Sequence, residues 1–162
     1  MSFTDQSQED SSMVHCVARV RRAADHPQIR HAKSKLLVLD SDQETLQAIV
    51  EVAKPYFQVI QTSDPQWAMA WLGQYRDVTV FLVDEDLQQN NGSQLLLRSQ
   101  AMRPEVLRVL MSRSVDDPRV VQSLQRGIAQ TLLEKPMSRE ALLAAIVPQA
   151  VEQNDTPHLI VA

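Results

Sequence analysis

VFLVDEDLQQNNG, residues 80–92, runs from four residues that read as a buried strand, Val80 to Val83, straight into three acids, Asp84, Glu85 and Asp86. Adjacent carboxylates repel one another and disfavour the charged state unless a cation or solvent answers them. Either the chain surfaces there with its charges solvated, as loops routinely do, or the acids hold something. What separates the two readings is what else the chain brings to the same edge.

On both sides of this stretch a short apolar run is followed by a helix-period segment, five times after Ser34. The strand candidates are LLVL (36–39), FQVI (57–60), VTVFLV (78–83), LRVLM (107–111) and TLL (131–133). Helix starts are marked by Asp64-Pro65, Ser93, Asp117-Pro118 and Ser138, because a short polar side chain caps free helix amides and proline suits the first helical position. Continuous apolar strands alternating with amphipathic helices predict a parallel sheet covered on both faces. The chain has only three glycines, Gly73, Gly92 and Gly127, so it lacks the glycine-rich phosphate loops of the common nucleotide-binding folds.

In open parallel sheets, ligands sit outside the carboxyl ends of the strands. Here the first strand ends in Asp40, Ser41 and Asp42, the third in Asp84, Glu85 and Asp86, the fourth in Ser112, and the fifth in Glu134, Lys135 and Pro136. Carboxylates, a hydroxyl and a lysine are thus expected on one edge.

The remainder bounds the function class. The 162 residues suit one domain with tails; 44% are hydrophobic, and no run approaches the roughly 18 apolar residues of a membrane span. A net charge of −4 disfavours general nucleic-acid binding, and the single Cys16 rules out an internal disulfide framework. A start without a basic and apolar leader predicts a cytoplasmic protein. Residues 1–12 read as disordered, and Met13 to Ser34, with Arg19, Arg21, Arg22, Arg30 and Lys33, as a basic, partly helical extension. His15, Cys16, His26 and His31 match no standard zinc spacing. Trp67 and Trp71 stand at i and i+4, where core or edge packing is expected.

Taken together, residues 35–147 resemble a response-regulator receiver domain of bacterial two-component signalling. KLLVLDSD is similar to its first strand and acidic pair, FLVD to its third strand with the phosphoacceptor, LRVLMS to the strand ending in Thr or Ser, and LLEKP to the strand ending in Lys-Pro. Gly92 falls at the family's loop glycine, and RGIAQTLLEKP matches the spacing of a receiver subgroup. The resemblance implies a flavodoxin-like (βα)5 fold, a five-stranded sheet in the order 2-1-3-4-5 with five helices, and residues 148–162 as a tail. It implies Asp84 as phosphoacceptor and Mg²⁺ held by Asp40, Asp84 and the Asp86 carbonyl. Lys135 and Ser112 would meet the phosphoryl oxygens, and the Lys135-Pro136 peptide would be cis.

The sequence departs from the family at several of these places. Ser41 stands where a second acid is usual, Gln88 replaces a loop proline, Arg113 replaces a small residue, and Leu132 replaces an aromatic. Losing even an outer-shell partner costs roughly 10–100-fold in metal affinity. The expected function is a phosphoaccepting single-domain receiver without an output domain, signalling by protein contact. Its expected partners are a histidine kinase or phosphotransfer protein, a downstream protein target, and a second copy through the face of the last two helices; neither nucleic acid nor membrane is among them. The alternatives are a pseudo-receiver that binds partners without phosphate and a phosphohydrolase of the haloacid-dehalogenase type, whose D-x-D-G-T-L is distantly similar to LLVLDSDQETL.

Overall fold

A computed structural model describes residues 33–155. The expectations for residues 1–32, including the disordered start, the basic helix and the His/Cys set, lie outside the described residues, as do those for 156–162. Ten elements alternate along the chain: β1 (Lys35–Leu39), α1 (Gln43–Ala53), β2 (Gln58–Thr62), α2 (Pro65–Gln74), β3 (Val78–Asp84), α3 (Gly92–Met102), β4 (Leu107–Ser112), α4 (Pro118–Gln125), β5 (Thr131–Glu134) and α5 (Arg139–Asp155). The strands form one parallel sheet in the order β2-β1-β3-β4-β5, as the alternation and the resemblance implied.

Two cores flank the sheet, which is why the central strands are apolar without alternation. Leu37, Leu39, Phe81, Val83 and Leu110 pack against α2, α3 and α4. Leu36, Val38, Val80, Leu82 and Val109 pack against α1 and α5. Every residue of β3 is buried. The register of β3 against β1 slips once, between the Lys35↔Val78 and Leu36↔Val80 pairs. Thr79 is the residue left over, and its buried hydroxyl has no hydrogen-bond partner.

The helix starts follow capping chemistry. Asp42, Asp64 and Asp117 each accept a backbone N–H two residues on, with Pro65 and Pro118 opening their helices, and Ser138 accepts the Ala141 N–H. Gly127, with φ +70°, follows the end of α4 in the left-handed region that suits glycine. Three boundaries differ from expectation. Phe57 belongs to the turn after α1, its N–H bonded to the Ala53 carbonyl and its ring buried, so β2 begins at Gln58. Asn91 rather than Ser93 caps α3. Helix α5 continues through Pro148 to Asp155, beyond residue 147.

Candidate functional site

The carboxyl ends of β1, β3 and β5 meet at the Lys135 ammonium. Its Nζ lies 2.6 Å from Oδ2 of Asp40 and 3.2 Å from Oδ1 of Asp84. All three side chains are almost fully buried. Each is delivered by backbone pairing: Leu39 pairs with Val83 and Asp84 with Met111, while the Lys135 N–H bonds to the Ser112 carbonyl at 2.8 Å. The Lys135-Pro136 peptide is cis, as expected. The other Asp40 oxygen accepts the Asp42 N–H at 2.9 Å.

The three consecutive acids are answered in three ways. Asp84 faces Lys135. Glu85, 1% exposed, turns inward, and its Oε2 accepts the N–H and hydroxyl of Ser93 at 2.9 and 2.6 Å. Its Oε1 is buried without a hydrogen-bond partner, with the Arg119 guanidinium 3.9 Å away. Asp86 is exposed and bridges to Asn91, closing the loop. The role of Glu85 escaped the sequence reading; the available signal was Ser93, whose amide belongs to the first turn of the following helix, where free N–H groups await an acceptor.

The electrostatics follow from two negative charges sharing one positive. Burial first, and then the Asp40 charge, push the Asp84 carboxyl above the usual carboxylate range, against the pull of Lys135. Burial likewise raises Glu85, partly offset by the hydrogen bonds from Ser93. One cation short and half ringed by carboxylates, the site suits a hard divalent ion. Mg²⁺ is commonly held by one or two carboxylates, with water and phosphate oxygens completing its shell. Side chains supply only this pair of carboxylates, and among the described residues no group of three or more His, Cys, Asp or Glu is placed to hold a metal ion.

The remaining predicted site residues sit around this centre. Ser112 is buried at the end of β4, but its hydroxyl is engaged locally, accepting the Ser114 N–H at 3.0 Å and donating to the Ser114 carbonyl at 3.2 Å. Ser41 is exposed and lines a polar cavity of about 410 Å³ together with Asp64, Gln66 and Gln88. Asp42 is spent capping α1, accepting from the Glu44 N–H and the Thr45 hydroxyl, so it does not replace the missing acid at position 41. Arg113 is exposed and forms no ion pair among the described residues, which leaves the cation of the acidic pair to Lys135. Leu132 is partly buried against the core. Trp67 is 58% exposed, its ring 5.9 Å from the half-buried Trp71, so only the second tryptophan packs on the core.

Gly92 has a direct geometric reason. A Cβ there would lie 2.4 Å from the carbonyl oxygen of Asp84 and 2.9 Å from its carbonyl carbon. Helix α3 therefore starts against the backbone of Asp84 itself.

Residues 36–147 match the family model described as the response regulator receiver domain. No curated protein sequence matches the chain. Among solved structures, it is similar to a CheY-like response regulator receiver domain protein from Methanospirillum hungatei, with TM-score 0.69, 18% identity, and coverage of 76% of this chain and 98% of that one. The signal receiver domain of an HD domain-containing protein from Pseudomonas fluorescens gives TM-score 0.69 and 21% identity, covering 80% and 95%. The BeF3-activated DrrB receiver domain gives 0.64 and 24%, covering 74% and 98%.

Proposed function

The chain belongs to the response-regulator receiver family, and from that premise we propose that it is a phosphoaccepting receiver whose nucleophile is Asp84. The observation that carries this reading is the convergence of Asp40 and Asp84 on the Lys135 ammonium, at 2.6 and 3.2 Å, with a buried serine at the end of the neighbouring strand. In the proposed step an Asp84 oxygen attacks phosphorus. The bond from phosphorus to the donor's histidine nitrogen breaks as the new P–O bond forms, and the imidazole leaves with the electron pair.

Each neighbour has a task in that step. Lys135 is placed to neutralise charge on the incoming phosphoryl oxygens, and Asp40 holds the ammonium against Asp84. Ser112 would exchange its bonds to Ser114 for one to a phosphoryl oxygen, and the loop after β4 would move with it. Receiver domains typically bind Mg²⁺ at their acidic pocket; here Asp40, Asp84 and the Asp86 carbonyl would hold it, with Ser41 beside them. The ion would supply charge neutralisation to the transferring group. Family membership implies a histidine kinase or phosphotransfer protein as donor, and signalling through protein contact. No helix among the described residues is long and apolar enough to cross a membrane.

A pseudo-receiver is the second reading, favoured by exposed Ser41 in place of an acid and by a site whose charge Lys135 already partly balances. Intact mass after treatment with acetyl phosphate and Mg²⁺ separates the two. One added phosphoryl group, absent in Asp84→Asn, is the expected result. An unchanged mass, with no amide shifts around Asp84 and Ser112 on adding beryllofluoride, would establish the second reading instead.

A further inference from the structure

Beside the acidic site, a cavity of about 500 Å³ opens between α1 and the segment joining β5 to α5. Its floor is apolar: Ala48, Ile49 and Val52 from α1, with Met137 and Leu142 opposite. Its charged lining is entirely cationic, Arg113, Lys135 and Arg139, with no aspartate or glutamate among the lining residues. The Lys135 ammonium is committed to Asp40 and Asp84. The two arginines form neither an ion pair nor a side-chain hydrogen bond among the described residues.

This combination selects a ligand chemistry. The volume falls within the range of small-molecule sites, which are mostly apolar with a few placed polar groups. Guanidinium groups match planar oxyanions with paired N–H donors. A neutral apolar molecule would leave that charge unused, and a small inorganic anion would leave the floor bare. We propose that the cavity binds a small amphipathic organic anion, with its apolar body on the α1 floor and its carboxylate-type head against Arg113 and Arg139. Arg113, which replaces the small residue usual at its position, is then a ligand-binding residue. Lys135 lines both this cavity and the acidic site, so the two are neighbours through a single side chain.

The test is a titration of the full chain with decanoate, below its micellar range, followed by backbone amide shifts in the absence of phosphodonor and Mg²⁺. It reads the cavity independently of whether Asp84 accepts phosphate. Saturable shifts are expected at Ala48, Val52, Lys135, Met137 and Arg139. Decan-1-ol and inorganic phosphate should each bind at least roughly tenfold more weakly, the loss expected when a charge-assisted pair or the apolar contact is missing. The Arg113→Ala/Arg139→Ala double variant should lose about tenfold in decanoate affinity. Ala48→Phe, which fills the cavity from an exposed helix position, should abolish binding with its melting temperature unchanged. Equal affinity for decanoate and decanol, unsaturable shifts, or undiminished binding in either variant would overturn the proposal.

Discussion

At Gly92 the absence of one carbon atom sets the geometry of the acidic site. The atoms a Cβ would strike are the backbone of Asp84, at 2.4 and 2.9 Å, and backbone cannot swing aside as a flexible side chain can. Gly92→Ala is expected to cost roughly 1–3 kcal/mol, read as a lower urea midpoint, and to slow acetyl phosphate labelling by displacing Asp84. Full stability with full labelling would show that the loop gives way freely. Ser41 poses the opposite question, since a carboxylate is missing there and space is available. Ser41→Asp should tighten Mg²⁺ at least roughly tenfold, about 1.4 kcal/mol, in a titration followed by thermal melts. Without metal the added charge beside Asp40 and Asp84 should lower stability. Equal Mg²⁺ curves for wild type and variant would count against Asp84 as a phosphoacceptor.

The joins between elements are held by two buried arginines. Arg103, 5% exposed, donates to the carbonyls of Leu72, Tyr75, Arg76 and Val78, tying the end of α2 to the start of β3. Arg108 does the same for the turn before β5, reaching the carbonyls of Gly127 and Ile128. Arg103→Ala should cost roughly 3 kcal/mol in denaturant unfolding, because it strands several acceptors at once. Arg103→Lys should recover only part of that, since an ammonium lacks the planar fork; complete recovery would reduce the role to charge. These joins mark the limit of what the sequence makes legible. Apolar runs such as VTVFLV, and starts such as Asp64-Pro65 and Asp117-Pro118, report local chemistry, and the strands and caps they imply are present. Asp40, Asp84 and Lys135 were legible as a set because parallel topology carries all strand ends to one edge. The roles of Arg103, Arg108 and Glu85 depend on carbonyls, or on a serine, brought up by another element. Phe57 looked like strand because an apolar side chain buried beneath a turn has the same signature as one buried in a sheet.

At the scale of the whole fold, five carboxylates among the described residues depart from their ordinary range, and these five divide into two groups with opposite pH behaviour. The Thr45 hydroxyl holds Asp42 low, Arg119 holds Asp117 low, and Arg103 holds Glu105 low. Their contributions are present above their ordinary values and are lost as pH falls through the depressed ones, but Asp42 and Glu105 are exposed and Asp117 is only partly buried, so solvent screens all three. Asp84 and Glu85 are raised, chiefly by burial, from ordinary values of 3.8 and 4.5. The folded state therefore holds their protons more tightly than the unfolded chain does. Their contribution is fully present below those ordinary values and is lost as pH rises through the folded ones. Stability should accordingly peak in mild acid and decline toward neutrality. Glu85→Gln keeps an oxygen for Ser93 and removes the charge, and Asp84→Asn does the same beside Lys135. Each should raise neutral-pH stability by on the order of 1 kcal/mol and flatten the decline, as read from urea midpoints between pH 4 and 8. Mg²⁺ supplies a third way to answer the same excess charge. It should stabilise the wild type near neutrality through preferential binding to the folded state, keep that effect in Glu85→Gln, and lose it in Asp84→Asn. If Mg²⁺ stabilised Asp84→Asn as much as the wild type, the ion would be binding elsewhere. The decline toward neutrality would then be an electrostatic property of the fold with no part in phosphoryl transfer.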